Sequence, residues 1–382
     1  MAHPLEDPRL DWELLRSYHF DEAFFRDAVE RLRAGTLSEA TAVISGKIER
    51  VNEVVDVHFQ GPEVGPIRSS GEAALREGRI AVVVLNGGMA TRFGGVVKGV
   101  VEVYDGASFL ALKAADVRAA ALRYGKPVPL VLMNSFATHE ATMAHAAAHR
   151  NFGLAEGEFY TFQQSISVRL NPDTSLFIGD DGRPSYHAPG HGDFFSSLRG
   201  SGVLSALRAR GVEEVLFSNV DNLGATVDPV IIGHHLQLGR PMTAEVTEKR
   251  KNSAGVWDKG GAPARVDGRL QLVEGFRFPK DFPQEMLPDF STNNMLFNLA
   301  AIDRPLDLER HVVKKTVDGR PALQLESITC EASGLWGAEG PLLPLSLLRV
   351  PRDGPNGRFF PVKEPPDLEE MRPILRERLK PR

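Results

Sequence analysis

Short apolar runs separated by helix-like stretches constrain the fold of this chain more than any other feature. The runs at 81–85 and 129–133 are continuously apolar, as strands buried on both faces are, and further runs lie at 159–162 and 215–218. Helical patterns lie between them at 108–124, 137–149 and 193–210. Strands joined through helices pair in parallel and are covered on both faces. The sequence therefore predicts an α/β fold built on a central sheet.

A lead-in of different pattern, residues 1–75, precedes this predicted core. Asp21 is suited to cap a helix and Gly35 to end it. The following stretch at 51–70 is irregular and rich in glycine and proline, and a short helix is predicted at 72–77. We therefore expect the lead-in to be helical and irregular.

The predicted main domain spans residues 76–342. Its later part shows strand and hairpin patterns in place of alternating strands and helices. A strand is expected at 242–249, followed by a hairpin that turns at Asp267-Gly268 and a further strand at 294–298. Residues 343–382 form a C-terminal segment with a charged helix at 366–380.

Composition excludes several classes of function. The net charge of −5 argues against binding nucleic acid through bulk charge. No apolar run approaches the ~20 residues of a membrane helix, and the first residues do not resemble a signal peptide. The chain has 1 cysteine, Cys330, so it cannot form an internal disulfide. These features predict a cytoplasmic protein with no nucleic-acid or membrane partner.

Polar residues follow three of the predicted strands. Residues 86–88 follow the first strand, Asn134-Ser135 follow the second, and 219–222 follow the strand at 215–218. In open α/β sheets, ligands bind beyond the carboxyl ends of the strands. The sequence therefore predicts a ligand site at one edge of the sheet.

The glycine-rich loop after the first strand fits neither common phosphate-loop pattern. A Walker A loop needs Ser or Thr directly after its lysine, but Gly99 follows Lys98. Gly87 and Gly88 allow close approach of the backbone to a ligand, and Arg92 and Lys98 can neutralise phosphates. The alternative is a tight turn with two solvated cations.

Two further stretches allow both a functional and a structural interpretation. Asp221 suits magnesium, which accepts one or two protein carboxylates and takes its other ligands from phosphates and water; it equally suits an Asx turn or a helix cap. In "SYHAPGHGDFF", residues 185–195, His191 can be presented to a phosphate, or Asp193 can simply cap a helix.

Eight motifs in order carry a resemblance to a known family. The segment from about residue 71 to 368 resembles eukaryotic-type UTP–glucose-1-phosphate uridylyltransferases, also called UDP-glucose pyrophosphorylases. The motifs are "LNGGMATRFGG…KG", "VLMNSFATHE", "TFQQS", "PGHGD", "SNVDNLGATVDP", "EVTEK", "STNN" and "RFFPVK". The resemblance implies a Rossmann-like, glycosyltransferase-A-like nucleotidyltransferase core with a mixed sheet. It also implies a reversible, Mg²⁺-assisted reaction in which UTP and glucose 1-phosphate give UDP-glucose and pyrophosphate.

The resemblance assigns roles to individual residues. It implies that Gln164 reads the uracil edge, that Asp221 binds both nucleotide and Mg²⁺, and that Lys98 and Lys363 act on the phosphates. Arg92 is not part of the family pattern, but its charge suits the same phosphates. Further residues implied to line the nucleotide are Leu85, Asn86, Gly87, Gly88 and Gly190. Those implied to bind the sugar phosphate, besides Lys363, are His191, Asn219, Gly260 or Gly261, Glu274, Asn293 and Asn294.

The sequence departs from the family pattern in three places. Ala90 and Arg92 replace a glycine and a less basic residue. The segment after Gln164 lacks the expected proline, so Gln163 is an alternative reader of uracil. The sequence ends 19 residues after Lys363, where family members usually continue into a β-helical domain used in oligomerisation; we therefore expect a monomer.

Three alternatives differ in substrate or in class. In the first alternative, the same reaction uses N-acetylglucosamine 1-phosphate, galactose 1-phosphate or several sugar 1-phosphates, although "MNSFATHE" resembles the glucose enzymes. A catalytically dead sugar-nucleotide sensor is the second; it need not keep Lys98, Asp221 and Lys363 together. A P-loop ATPase is the third, and Gly99 argues against it.

Overall fold

The structure is a computed structural model that describes residues 2–90, 95–251, 255, 257–258 and 260–378. Arg92, one of the expected phosphate contacts, lies outside the described residues. The strands, in chain order, are β1 (Ile48–Glu49), β2 (Val55–Asp56), β3 (Ile80–Leu85), β4 (Met89–Ala90), β5 (Val96–Val97), β6 (Glu102–Tyr104), β7 (Ala107–Ser108), β8 (Leu130–Asn134), β9 (Phe159–Gln163), β10 (Ser167–Val168), β11 (Tyr186–His187), β12 (Glu214–Asn219), β13 (Met242–Glu248), β14 (Ala262–Val266), β15 (Arg269–Val273), β16 (Asp289–Asn298), β17 (His311–Val317), β18 (Arg320–Glu326), β19 (Trp336–Gly337), β20 (Gly340–Pro341) and β21 (Leu345–Arg349).

Helices connect and cover these strands. The α-helices are α1 (Trp12–Ser17), α2 (Glu22–Arg33), α3 (Val64–Arg76), α4 (Phe109–Tyr124), α5 (His139–Ala148), α6 (Phe194–Gly200), α7 (Val203–Ala209), α8 (Pro229–Leu238), α9 (Leu299–Ile302) and α10 (Pro365–Arg378). As predicted, the Asp21 side chain caps α2 by accepting from the Phe24 amide. Within the described residues, no helix combines the length and apolarity needed to cross a membrane.

One eight-stranded mixed sheet organises the molecule, in the order β2-β21-β13-β16-β12-β3-β8-β9. The strands β12, β3, β8 and β9 pair in parallel, which confirms the pairing expected from the alternation of strands and helices. The strand β16 runs antiparallel to both β12 and β13. Because β16 runs in the opposite direction, its first residues lie at the edge where the parallel strands end.

Alternate side chains of the central strands enter two separate cores. Val82 and Val84 of β3 pack in one core with α4 and α8, while Ala81 and Val83 pack in the other with α6 and α7. This division follows from the two-residue period of a strand. The sheet is therefore covered on both faces, as the apolar runs predicted.

The N-terminal lead-in packs as a separate layer at one end of this sheet. Leu15 and Phe25 of α1 and α2 share a third core with Val168 and Leu323. The Ile166 amide donates to the Tyr18 carbonyl oxygen at 3.1 Å, so the lead-in is bonded directly to the segment that follows β9. The lead-in also supplies β2 to the main sheet, and the C-terminal segment supplies β21.

Three predicted elements differ in the structure. The helix expected at 193–210 is two helices, because Gly202 adopts φ 78° between α6 and α7. The short helix expected at 72–77 is the last part of α3, which begins at Val64 within the stretch predicted to be irregular. The strand expected at 294–298 begins earlier, at Asp289.

Candidate active site

Several strand ends converge at one edge of the sheet, as the sequence predicted. Leu85, the last residue of β3, pairs with Asn219, the last residue of β12. On the other side of β3, Asn134 at the end of β8 pairs with Gln163 at the end of β9. Asn293 of β16 reaches the same edge, where its Nδ2 donates to Asn219 Oδ1 at 2.9 Å. Polar side chains from four strands therefore surround one site.

Two glycines, Gly87 and Gly190, lie against the side chain of Gln164. A Cβ atom on Gly87 would lie 2.2 Å from Gln164 Oε1, so any larger residue there would force the Gln164 amide to move. Gln164 Nε2 donates to the Gly190 carbonyl oxygen at 2.7 Å, and Gly190 itself adopts φ 87°. The Ser135 hydroxyl donates to the Gly87 carbonyl oxygen at 2.9 Å. The structure thus brings together three of the residues implied to hold the uridine.

The position of Gln164 favours it over Gln163 as the side chain that faces a base. Gln163 is part of β9, whereas Gln164 follows the strand, is 6% exposed and contacts both glycines. A glutamine amide offers one donor and one acceptor group, which matches the edge of a uracil ring.

Gly87→Ala is expected to raise the KM for UTP about tenfold, because relieving the clash with Gln164 costs about 1–3 kcal/mol. Gly87 is not among the described residues of positive φ, so the effect is steric rather than conformational. Gly65→Ala is the matched control, since Gly65 lies on α3 away from the site and a Cβ there has no described atom within 4 Å. Steady-state kinetics in UTP would measure both variants; equal KM values for the two would contradict this explanation.

The side chain of Asn86 points into the protein rather than toward the pocket. It is 1% exposed, and its Nδ2 donates to Asn134 Oδ1 and to Thr142 Oγ1, both at 2.8 Å. Its buried Oδ1 accepts no hydrogen bond within the described part of the chain. Its buried amide ties the end of β3 to the end of β8.

His191 is held in one orientation by Thr329. The Thr329 amide donates to His191 Nδ1 at 3.2 Å, and the Thr329 hydroxyl donates to the His191 carbonyl oxygen at 2.7 Å. Nδ1 also lies 2.9 Å from Thr329 Oγ1, so Thr329 occupies this nitrogen and Nε2 is the ring nitrogen left for a ligand. Burial lowers the pKa of His191 to about 4, so the ring is neutral at pH 7.

Asp193 has a structural role that the sequence did not reveal. Its carboxylate accepts from the Ser165 amide at 2.6 Å and from the hydroxyls of Ser165, Ser196 and Ser197. It makes no side-chain cap to its own helix. Asp193 instead hydrogen-bonds the segment after Gln164 to the start of α6, and so stabilises the position of Gln164.

Lys98 and Asp221 form an ion pair at the same edge. Lys98 Nζ lies 3.0 Å from Asp221 Oδ2, and the two side chains are 14% and 19% exposed. The sequence placed these residues 123 positions apart on separate motifs; the fold joins them. A positive and a negative group, both reachable from solvent, therefore lie side by side.

The carboxylate of Asp221 fits a magnesium ion that arrives with its phosphates. No group of three or more His, Cys, Asp or Glu side chains suited to a metal occurs among the described residues. Magnesium needs only one or two protein carboxylates when phosphates and water supply the other oxygen ligands. A single accessible carboxylate suits that mode and does not suit a metal held by protein groups alone.

Lys363 approaches this pair along the C-terminal segment. The Val362 amide donates to the Asp221 carbonyl oxygen at 3.3 Å, so the chain passes directly beside Asp221 before it reaches Lys363. The Lys363 side chain is exposed, and its backbone amide donates to Asp367 Oδ2 at 2.8 Å. The Lys363 side chain therefore lies in solvent two residues before α10, on the segment that passes Asp221.

The residues implied to shape the sugar pocket fall into two groups. Asn219 and Asn293 are bonded to each other at the open edge. Glu274 lies near Gly261, whose Cβ would be 3.2 Å from Glu274 Oε1, and burial raises the Glu274 pKa. Gly260 packs against Phe290, where a Cβ would be 2.7 Å from the ring.

Asn294 belongs to a buried network below the site. It is 3% exposed, and its Nδ2 donates to Glu245 Oε2 at 3.2 Å. Asn293 adopts φ 59°, which breaks the regular strand, and its amide bonds to Asn219 at the edge while the amide of Asn294 bonds inward. Asn294 therefore acts beneath the site.

A buried lysine supports the turn that carries Asp221. Lys113 of α4 donates from Nζ to Ser218 Oγ at 3.2 Å and to the carbonyl oxygens of Asn222 at 2.7 Å and Ala225 at 3.1 Å. Burial lowers the Lys113 pKa from 10.5 to about 8. Its apolar neighbours on α4 gave no signal of this role in the sequence.

The lowered Lys113 pKa predicts a specific dependence of stability on pH. Between pH 8 and 10.5 the folded protein holds this amine neutral while the unfolded chain holds it protonated. The unfolded state binds more protons, so stability rises with pH. The unfolding free energy of wild type minus that of Lys113→Met should therefore increase by about 3 kcal/mol between pH 8 and pH 10.5. Urea unfolding at several pH values measures it, and a constant difference would contradict the prediction.

Comparisons with known proteins agree with this architecture and site. The model of the family described as UTP–glucose-1-phosphate uridylyltransferase matches residues 25–372. A UTP–glucose-1-phosphate uridylyltransferase of Hordeum vulgare is 33% identical over 373 residues, covering 90% of this chain and 75% of the relative. One of Saccharomyces cerevisiae is 36% identical over 310 residues, covering 76% of this chain and 58% of the relative.

Solved structures show the same fold. A UDP-glucose pyrophosphorylase of Leishmania major, a point mutant, is similar with a TM-score of 0.68 and 25% identity, covering 90% of this chain and 77% of that one. A uridine diphosphate N-acetylglucosamine pyrophosphorylase of Trypanosoma brucei reaches a TM-score of 0.70 at 20% identity, covering 91% of this chain and 75% of that one. The second likeness bears on the fold alone.

The mixed sheet, the glycines packed on Gln164 and the paired lysine and carboxylate at the sheet edge fit the class of nucleotidyltransferases that act on sugar 1-phosphates. The family match over most of the chain places it more narrowly. The chain belongs to the UTP–glucose-1-phosphate uridylyltransferase family. It spans 75% of the barley relative's length and 58% of the yeast relative's.

Proposed function

We propose that this chain transfers the uridylyl group of UTP to glucose 1-phosphate, giving UDP-glucose and pyrophosphate in a reversible reaction. The observation that carries the proposal is the Lys98–Asp221 ion pair, 3.0 Å across, at the sheet edge that also holds Gln164 between Gly87 and Gly190. A polar group to hold the base, beside charged groups to hold the phosphates, is what the transfer requires.

The chemistry needs alignment and charge neutralisation more than covalent catalysis. A phosphate oxygen of the sugar 1-phosphate attacks the α-phosphorus of UTP, and the bond from that phosphorus to the β-phosphate oxygen breaks. Pyrophosphate leaves with the bonding electrons, and no proton transfer is required. Because one anion attacks another, the site has to gather positive charge and hold the two phosphates in line.

Each side chain of the site has a part in this scheme. Gln164 holds the uracil edge, and His191 binds the sugar phosphate through Nε2. Lys98 and Lys363 neutralise charge on the phosphates, and Arg92, which lies outside the described residues, is proposed to assist them. Asn219 and Asn293 supply hydrogen bonds for sugar hydroxyls at the open edge.

Asp221 would hold a magnesium ion that enters with UTP. The ion would supply further positive charge at the phosphate oxygens. Asp221 pairs with Lys98 at 3.0 Å, which keeps the lysine beside the phosphates that such an ion would accompany.

The proposal extends to the state and location of the protein. Among the described residues, the exposed large apolar side chains lie one to an element, as Leu122 on α4 and Trp336 on β19 do, which supports a monomer. The buried, reduced Cys330 is compatible with the cytoplasm, which we propose as the location. Light scattering at micromolar concentration should give the mass of one chain; a stable octamer would contradict the monomer.

Pyrophosphate release tests the reaction directly. The protein is incubated with UTP and Mg²⁺ and with glucose 1-phosphate, galactose 1-phosphate, N-acetylglucosamine 1-phosphate or no sugar. Fast release with glucose 1-phosphate alone supports the proposal in full. Release with several sugars supports the reaction but broadens the substrate, and binding of UTP without any release would favour a sensor that has lost catalysis.

A further inference from the structure

Asn222, the residue after Asp221, is a buried four-way hydrogen-bonding centre. It is 1% exposed. Its Nδ2 donates to Asn294 Oδ1 and to the Arg358 carbonyl oxygen, both at 3.1 Å. Its Oδ1 accepts from the Gly224 amide at 3.2 Å and from the Phe360 amide at 2.9 Å. Both donor hydrogens and both acceptor positions of the amide are therefore used.

These bonds fix the C-terminal segment against the turn that carries Asp221. Arg358 and Phe360, on either side of Phe359, are both bonded to Asn222. Asn222 also forms a backbone bridge with Pro361, and the next residue bonds to Asp221. The chain thus runs alongside residues 221–222 until it reaches Lys363.

A buried ion pair between Arg358 and Glu245 also fixes the same segment. Arg358 is 2% exposed; its Nε donates to Glu245 Oε2 at 2.8 Å and its Nη2 donates to Glu245 Oε1 at 2.7 Å. Arg358 Nη2 also donates to the Thr226 carbonyl oxygen at 3.2 Å. The segment forms no regular helix or strand between 350 and 364 within the described structure beyond the bridge at Pro361, so side chains fix its path.

We propose that Asn222 is a positioning residue for the transfer, which it controls by setting the place of Lys363 relative to the Lys98–Asp221 pair. Its side chain lies below the site and does not contact the substrates. The inference rests on the proposed function, since it assumes that Lys363 acts on the phosphates. A displacement of about 1 Å in such a group can cost about 10²-fold in rate.

Asn222→Ala is expected to lower kcat about 10- to 100-fold while the Kd for UTP, measured by calorimetry, changes less than about twofold. The decisive measurement is a cycle with Lys363→Ala. If Asn222 acts through Lys363, adding Asn222→Ala to Lys363→Ala lowers kcat by less than about threefold further. Multiplicative effects of the two substitutions would overturn the proposal.

Asn298→Ala is the matched control for a loss of stability. Asn298 ends the same strand, β16, that carries Asn294, but it lies at the opposite end of the sheet. Its amide donates to Glu214 Oε1 at 2.8 Å and accepts from the Ala301 amide at 3.1 Å. Its loss should lower Tm as the loss of Asn222 does, but leave kcat unchanged. A similar fall in kcat for both variants would show that Asn222 acts only through stability.

The design separates failure of this inference from failure of the proposed function. If wild type releases no pyrophosphate from UTP and glucose 1-phosphate, the function itself fails. If Lys363→Ala keeps its full rate, the role of Lys363 fails. If both behave as expected and the cycle is multiplicative, only the role of Asn222 fails. If Asn222→Ala does not fold, Asn222→Ser places a hydrogen-bonding hydroxyl at this position and permits the same cycle.

Discussion

Lys363→Ala should lower kcat about 10²- to 10³-fold, the usual loss when a positioned group that stabilises transition-state charge is removed. The Kd for UTP should change much less, because Gln164 and the two glycines beside it, which we propose to hold the uridine end, make their contacts without this lysine. Lys363 is exposed, so the substitution removes charge without leaving a cavity. Single-turnover kinetics and calorimetric binding of UTP separate the two quantities.

Lys47→Ala is the control for this substitution. Lys47 is an exposed lysine that pairs with Glu49 at 2.8 Å, and surface pairs of this kind contribute about 0–1 kcal/mol to stability. Its loss should leave both kcat and binding unchanged. A turnover number near that of wild type for Lys363→Ala would remove this residue from the mechanism.

Asp221→Asn should lower the rate by about 10²- to 10³-fold as well, for a different reason. The substitution keeps the shape of the side chain but removes the charge that pairs with Lys98 and that would hold the metal. We expect weaker binding of Mn²⁺, used as a spectroscopic substitute for Mg²⁺, to the complex of protein and UTP. Electron paramagnetic resonance of free Mn²⁺ measures this affinity independently of turnover.

Asp303→Asn provides the corresponding control for a lost carboxylate. Asp303 pairs with Arg208 near the end of α9, at the far end of the sheet from the site. This variant should bind Mn²⁺ and turn over as wild type does. If Asp221→Asn also retained its Mn²⁺ affinity, the metal would be held elsewhere and the assignment of Asp221 would be wrong.

The sequence predicted the parts of this fold that depend on local pattern. The apolar runs predicted the parallel strands, and the polar residues after them predicted the edge where Asn134, Asn219 and Asp221 meet. Both predictions rest on patterns that lie within a few residues or within a single strand. The hairpin at Asp267-Gly268 was predicted for the same reason, since the turn residues are adjacent in the chain.

The parts that were not predicted depend on contacts between distant residues. Nothing in the sequence around Asn222 indicates that it bonds to Arg358 and Phe360, because these residues meet only when the C-terminal segment lies on the folded sheet. The direction of the Asn86 side chain, toward Thr142 and away from the pocket, has the same origin. Local propensity also missed the start of α3, whose stability comes from packing against α8.

The order of strands in the sheet has a consequence for how the protein is made. The strand β21 lies between β2 and β13, so β2 pairs with nothing in the main sheet until β21 has been synthesised. The loops around Gly87 and Gln164 meet earlier, because they need only β3, β8 and β9. Contacts between residues far apart in sequence form slowly, and synthesis proceeds from the N-terminus. On the ribosome, a growing chain can therefore bring Gly87 and Gln164 together well before Lys363 can reach the Lys98–Asp221 pair.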